Sequence, residues 1–83
     1  MVKRNKLEII RDILKIIQEN QSIKPTPLLR KSNLSSSRFK KYYSELLEKE
    51  FIKEGRKIML TEKGNKYLEK YFTIMNFIDE FEL

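Results

Sequence analysis

Two short apolar segments of β-type sequence interrupt a chain that is otherwise patterned for helices. Residues 51–53 and 57–60 are rich in apolar side chains, and Glu54-Gly55-Arg56 lies between them. This pattern predicts two short strands joined by a tight turn in which Gly55 adopts a positive φ. Three helical segments precede this small hairpin and one follows it, which sets the order of elements in the chain.

The first helix is predicted over about residues 5–20. Its apolar side chains recur at intervals of three and four residues, as on one face of a helix. They are Leu7, Ile10, Ile13, Leu14 and Ile17, with Ile9 and Ile16 widening the face. The polar segment 18–22 then ends the pattern.

The second and third helices are separated by a tight turn at residues 33–34. The second helix is short, about residues 27–32, because Thr26 is a good N-cap and Pro27 suits the first helical position. Ser35 then caps a third helix that extends to about residue 49. The apolar side chains on one face of this third helix are Phe39, Tyr42, Tyr43, Leu46 and Leu47.

The fourth helix begins after Thr61, its predicted N-cap, and extends to about residue 80. Apolar side chains follow it at spacings of four and three residues, as in a coiled coil. They are Tyr67, Tyr71, Ile74, Ile78 and Phe81, with a second stripe at Leu68, Phe72 and Met75. One small domain does not cover this much apolar surface, and a two-fold mate would bury it.

We therefore predict that the chain forms a dimer through its fourth helix. The interface residues are Tyr67, Tyr71, Ile74, Met75, Phe77, Ile78 and Phe81. The alternative use of these aromatic side chains is to line a ligand pocket.

The order helix, helix, helix, hairpin, helix is the connectivity of a winged helix-turn-helix domain. We predict a mainly α fold with a small β-hairpin, in which a three-helix core is followed by a wing and a long C-terminal helix. The 83 residues correspond to one small domain. Residues 1–61 are assigned to the helix-turn-helix core and wing, and residues 62–83 to the helix that packs on the core and dimerises.

Basic charge is concentrated in the first part of the chain. Residues 1–61 hold 15 Lys and Arg against 7 Asp and Glu, a net charge of +8, whereas residues 62–83 hold 3 against 5, a net charge of −2. The total of +6 favours a polyanion, an acidic surface or anionic lipid as the partner. The two parts are therefore expected to have different roles.

Cysteine and histidine are both absent, which excludes disulfides, thiol nucleophiles and histidine-based catalysis. The two aspartates, Asp12 and Asp79, are far apart, and the sequence has neither a glycine-rich phosphate loop nor a metal-spaced cluster. We therefore predict no enzymatic activity, no cofactor and no metal.

The apolar segments are too short for a membrane span of about 18–20 residues. Glu8, Arg11 and Asp12 interrupt the apolar stretch that follows the basic N-terminus, which argues against an export signal. We predict no membrane partner and a cytoplasmic, nucleoid-associated location.

Three segments carry a family resemblance: Asn33-Leu34-Ser35, Leu46-Leu47-Glu48-Lys49 followed by Phe51-Ile52, and Leu60-Thr61-Glu62-Lys63-Gly64. Over roughly residues 7–72 the chain resembles a small archaeal winged helix-turn-helix family of predicted transcriptional regulators. That family includes dimeric DNA-binding proteins that pair through a long C-terminal helix. The resemblance implies double-stranded DNA and a second copy of the chain as partners. Pro25 and Pro27 depart from the family pattern at the short first strand.

The exposed face of the third helix has a graded charge. Arg38, Lys40 and Lys41 lie in its first half, whereas the second half and its end carry Glu45, Glu48 and Glu50. This arrangement opposes the helix macrodipole and therefore does not serve the stability of the helix, so we expect it to serve a function. A recognition helix enters the major groove by its N-terminal half, and the gradient has the matching direction.

The predicted DNA-binding residues of this helix are Ser35, Ser36, Ser37, Arg38, Lys40, Lys41 and Ser44. We expect Arg38 and Lys41 to contact base edges and Lys40 to contact a phosphate, while the serines add donors at a helix end that favours phosphate. The alternative is an ordinary solvated helix face.

The hairpin adds three cations, Lys53, Arg56 and Lys57, for phosphate or minor-groove contact. Glu54 opposes such contact, so ordinary surface charge is the alternative.

Two other groups of cations each allow two interpretations. Lys3, Arg4 and Lys6 suit either a basic arm or a frayed terminus, and Arg30 and Lys31 suit either the end of the second helix or the DNA backbone.

Together these features predict a homodimeric transcriptional regulator that binds double-stranded DNA, sequence-specifically or as an architectural protein, with the third helix in the major groove. The alternative is a protein-interaction winged helix that docks an acidic partner without binding DNA.

Overall fold

The polypeptide forms four helices and one short hairpin over residues 4–83, the part of the chain that the computed structural model describes. The elements in chain order are α1 (Lys6–Asn20), α2 (Pro25–Ser32), α3 (Ser36–Glu48), β1 (Ile52–Lys53), β2 (Met59–Leu60) and α4 (Glu62–Glu80). This is the predicted winged helix-turn-helix order, with a mainly α composition and one antiparallel hairpin.

Side-chain caps fix the beginning of three of the helices. Asn5 caps α1 in a capping box, because its side chain accepts from the backbone N–H of Glu8 at 2.8 Å while the Glu8 carboxylate accepts from the Asn5 N–H at 3.1 Å. Ser35 accepts from the N–H of Arg38 at the start of α3, and Thr61 accepts from the N–H of Gly64 at the start of α4. The predicted caps Ser35 and Thr61 are confirmed.

The predicted start of α2 is wrong by two residues. The helix begins at Pro25 rather than Pro27, and Lys24, not Thr26, is its N-cap, without a side-chain cap. Pro25 fits the first helical position as well as Pro27 would, since neither proline has an N–H to leave unpaired. The helix ends as predicted, at a turn where Asn33 adopts the left-handed conformation with φ 58° and ψ 31°.

The hairpin is shorter than predicted. Ile52 pairs with Leu60 and Lys53 with Met59. A further antiparallel bridge joins Ile58 to Ile23, in which each backbone N–H donates to the other residue's carbonyl. The short first strand that the resemblance implies is thus reduced to this single residue, which only Lys24 separates from Pro25 at the start of α2.

The predicted positive φ of Gly55 is also wrong. No glycine within residues 4–83 has a positive φ. Residues 54–58 separate the two strands, so the chain reverses over a longer loop than the two-residue turn that demands such a conformation.

The core is built around α1. This helix buries Ile9, Ile10, Ile13, Leu14 and Ile17. The other elements and links contribute Ile23, Leu28, Phe39, Leu46, Ile52, Ile58 and Leu68. The predicted inward position of Leu7 is wrong, since this side chain is 56% exposed in the first turn of α1 and Ile9 is buried instead.

Gly64 allows α4 to dock on the segment that follows α3. The N–H of Thr61 donates to the carbonyl of Phe51 at 3.1 Å, and the Thr61 hydroxyl donates to the carbonyl of Glu50 at 2.6 Å. A Cβ at Gly64 would lie 2.2 Å from the Phe51 carbonyl oxygen. Only glycine therefore permits this close approach of helix and backbone.

We expect Gly64→Ala to lower the free energy of unfolding by about 1–3 kcal/mol, because the new methyl group must displace backbone atoms. Urea denaturation at fixed protein concentration measures the effect. Gly55→Ala is the matched control, since its Cβ would meet nothing closer than the Lys57 carbonyl at 3.9 Å. Equal stability of the Gly64 variant and wild type would contradict the close approach.

Candidate DNA interface

The first half of α3 presents a basic, hydroxyl-rich surface to solvent. Phe39 and Leu46 on the opposite side are buried, at 8% and 0% exposure, which fixes the rotation of the helix. All the predicted residues of this surface are exposed, namely Ser35, Ser36, Ser37, Arg38, Lys40, Lys41 and Ser44. The structure thus brings the predicted α3 residues together on one accessible face.

The N-terminal turn of α3 is suited to an anionic group. It contains no acidic side chain. The Ser35 hydroxyl caps the helix and lies 3.4 Å from the Ser37 hydroxyl. Unpaired backbone N–H groups and serine hydroxyls at a helix N-terminus can donate to phosphate oxygens, and nearby cations strengthen that attraction.

The acidic half of α3 is partly neutralised by lysines. The Glu45 carboxylate lies 2.7 Å from the Lys6 ammonium and 3.1 Å from that of Lys49. Hydrogen bonds from these two lysines lower the pKa of Glu45, so the carboxylate stays charged and paired. Glu48 remains exposed farther along the helix.

The basic N-terminal segment is attached to the domain where the structure describes it. Lys6 pairs with Glu45 of α3, while Arg4 donates to Asp12 at 2.8 Å and to the Ser32 carbonyl at 3.0 Å. Neither arrangement is that of a frayed end. Lys3, the third cation considered there, lies outside the described residues.

The wing, defined as residues 53–57 of the hairpin, carries the other predicted cations. Lys53, Arg56 and Lys57 are all exposed. The acid between them, Glu54, accepts a hydrogen bond from the hydroxyl of Tyr43 on α3. Burial and the Glu54 carboxylate both raise the pKa of the Tyr43 hydroxyl, so it remains a proton donor at neutral pH.

The tyrosines of α4 are engaged within the chain. Tyr67 packs against Phe51 with ring centroids 5.4 Å apart, and its hydroxyl donates to the Leu7 carbonyl at 3.1 Å. Tyr71 accepts a hydrogen bond from Arg11 at 3.3 Å, and the Arg11 guanidinium lies 5.3 Å from the Tyr71 ring centroid. Both side chains are half-buried in the single chain.

The last part of α4 is different, because its apolar side chains face solvent. Ile74, Phe77 and Phe81 are 56%, 54% and 59% exposed. Met75 and Ile78 are partly buried. The structure therefore divides the predicted interface set into a segment that packs on α1 and a segment without cover in the single chain.

Sequence reasoning missed three features of this surface. The contact between Tyr43 and Glu54 and the ion pair between Lys6 and Glu45 join distant segments, and no local pattern signals them. Exposed Leu7 extends the apolar surface of the domain, although its helical spacing resembles that of a core residue.

Within residues 4–83, no helix combines the length and apolar character needed to cross a bilayer.

Comparison with known sequences agrees with this architecture. A winged helix-turn-helix family profile matches residues 3–79. One uncharacterized protein of Methanocaldococcus jannaschii is 41% identical over 78 residues, which cover 89% of this chain and 79% of the relative. A second uncharacterized protein of that organism is 37% identical over 78 residues, which cover 93% of this chain but only 36% of the relative.

The winged helix-turn-helix fold is typically a DNA-binding fold rather than an enzymatic one. The family match extends across nearly the whole chain, and the structure has the helix-turn-helix and the wing in the matching order. The chain belongs to the winged helix-turn-helix family, which indicates a DNA-binding or regulatory role.

Proposed function

We propose that the protein is a transcriptional regulator that binds double-stranded DNA as a homodimer, with α3 in the major groove. The exposed first half of α3 carries this proposal. Its cations and hydroxyls are accessible together, and its first turn has no acid to oppose a phosphate. An α-helix fits the major groove of B-DNA, where base edges are distinguishable.

The side chains of α3 divide between base and phosphate contacts. Arg38 and Lys41 are assigned to base edges, for which guanine is the preferred partner of basic side chains. Lys40 is assigned to a phosphate, together with the serines at the start of the helix. Ion pairing of Glu45 with Lys6 and Lys49 supports the assignment, because it reduces repulsion between the second half of α3 and DNA.

The wing adds a second site of backbone contact. Lys53, Arg56 and Lys57 are exposed, and none of them forms an ion pair with another described residue. Cations that are free in the protein alone release counterions when they neutralise phosphates, which strengthens binding at low salt. We also propose that the protein is located at the nucleoid, because binding to DNA would hold it there.

The exposed end of α4 supports pairing with a second copy of the chain. Phe77 and Phe81 stack on each other with ring centroids 4.8 Å apart, yet both remain more than half exposed. Complete burial of a fully exposed large apolar side chain is favourable by about 1.5–3 kcal/mol, and the exposed part of each phenylalanine would contribute a corresponding share on pairing. Two-fold pairing would cover this end and supply two α3 helices for one duplex.

Lys41→Glu tests the role of α3. We expect at least about tenfold weaker binding to a labelled duplex at about 100 mM salt, because a cation at the groove becomes an anion. Lys66→Glu is the control, since it makes the same charge change on exposed α4. Fluorescence anisotropy measures both variants. Wild-type affinity of the Lys41 variant would remove α3 from the interface.

Phe77→Glu tests the proposed dimer. We expect wild type to have twice the mass of one chain at tens of micromolar protein and the variant to have the mass of one chain, because a charge would be buried in the interface. The helical circular dichroism should not change, since Phe77 is 54% exposed in the single chain. Light scattering measures the mass.

Asn76→Glu is the control for this variant, because it adds the same charge at the neighbouring exposed position. We expect it to remain dimeric. A wild-type protein that is monomeric at this concentration would contradict the proposed interface.

A further inference from the structure

We infer that Tyr43 positions the wing for DNA binding through its contact with Glu54. The Tyr43 hydroxyl, on α3, donates to the Glu54 carboxylate, on the wing. This contact joins the two elements that are proposed to touch the same duplex. The inference rests on the proposed function, and it assigns Tyr43 a positioning role rather than a direct contact with DNA.

Tyr43 is itself held in place by the core. Its ring stacks on that of Phe39 with centroids 5.6 Å apart and an interplanar angle of 21°. Phe39 is only 8% exposed and belongs to the hydrophobic core. The Tyr43 hydroxyl is therefore carried by a ring with little freedom to move, as a positioning group requires.

The wing needs such an anchor because its backbone pairing is minimal. Each strand has two residues, and an isolated hairpin is marginally stable in water. The Ile58–Ile23 bridge holds only the end of the loop. Among the described side chains, the Tyr43–Glu54 contact is the one hydrogen bond or ion pair that joins residues 54–57 to another element.

The location of the contact matches a role in DNA binding. Tyr43 lies one helical turn after exposed Lys40 and is itself half-buried, at the border between the core face and the basic face of α3. The wing cations Lys53 and Arg56 flank Glu54 in the chain. The contact thus holds Glu54, the single acid of the wing, against α3. Without it, the Glu54 carboxylate would move among the wing cations that are proposed to bind phosphate.

Fixing the wing before binding has a thermodynamic consequence. A loop that must become ordered on DNA loses conformational entropy, and this loss weakens the complex. A wing that is already attached to α3 avoids part of that loss. The benefit appears in DNA affinity and in its salt dependence, which reports the number of phosphates contacted.

Tyr43→Phe removes the hydroxyl and leaves the stacked ring. We expect binding to a labelled duplex to weaken about threefold to tenfold, the range that corresponds to one net hydrogen bond. The slope of log affinity against log salt should become shallower by about one for each phosphate that the wing no longer neutralises. Anisotropy titrations over a series of salt concentrations measure both quantities.

Tyr42→Phe is the matched control, because it removes the same atom from the neighbouring tyrosine of α3. The Tyr42 hydroxyl forms none of the side-chain hydrogen bonds found among residues 4–83. We expect this variant to keep wild-type affinity and slope. Equal behaviour of the two variants would overturn the inference.

Glu54→Gln separates the charge of Glu54 from its contact with Tyr43. The amide oxygen can still accept from the hydroxyl, while the negative charge near the DNA is removed. We expect tighter binding than wild type, in the opposite direction to Tyr43→Phe. If the contact were purely structural, Tyr43→Phe would lower the thermal stability of the protein and leave its DNA affinity unchanged, and that result would overturn the inference.

The outcome for the proposed function is distinct. If wild type binds no duplex at low salt, the proposed function fails and the positioning role fails with it. If wild type binds and Lys41→Glu weakens binding while Tyr43→Phe does not, only the positioning role is contradicted.

Discussion

Burial of one face of α1 holds the other elements of the domain in place. Ile9, Ile13, Leu14 and Ile17 are at most 1% exposed, and α2, β2 and α4 all pack against this helix. A large aliphatic side chain contributes about 1.5–3 kcal/mol when fully buried. Of these elements α2 and β2 are short, so their positions are set by contact with α1 and not by their own stability.

The candidate DNA surface follows from that packing. Phe39 and Leu46 insert from α3 into the core, which leaves Arg38, Lys40 and Lys41 on the outer side. The cations near the N-terminus of α3 destabilise the helix itself, because they repel the positive end of its macrodipole. Each such charge costs about 0.3–1 kcal/mol. The fold tolerates this local cost because tertiary packing, not intrinsic preference, stabilises α3. A charge pattern that opposes local stability is consistent with selection for binding.

Local chemistry made much of the architecture predictable from the sequence. Helical spacing and the caps at Ser35 and Thr61 placed α3 and α4 close to their observed bounds. The errors arose where local rules allow two solutions. Either Pro25 or Pro27 can open a helix, and a hairpin with a longer loop does not require a positive φ at Gly55. Leu7 has the spacing of a core residue but lies in the first turn of α1, where its side chain is 56% exposed.

The candidate surface was predictable in composition but not in its connections. One helix face gathers the serines and cations of α3, so spacing alone identified them. The contacts of Tyr43 with Glu54 and of Lys6 with Glu45 depend on how α3 meets the wing and α1, which a linear pattern does not encode. Likewise, the spacing of apolar residues along α4 does not distinguish its two ends. Tyr67 and Tyr71 pack within the chain, whereas Phe77 and Phe81 remain exposed.

Nuclear magnetic resonance can map the surface through which the protein contacts DNA. Amide signals of isotope-labelled protein would be followed during titration with a duplex that it binds. We expect the largest changes at residues 35–41 of α3, with a second group at the wing, residues 53–57. Changes confined to α4, or a pattern that leaves residues 35–41 unaffected, would show that α3 does not read the duplex.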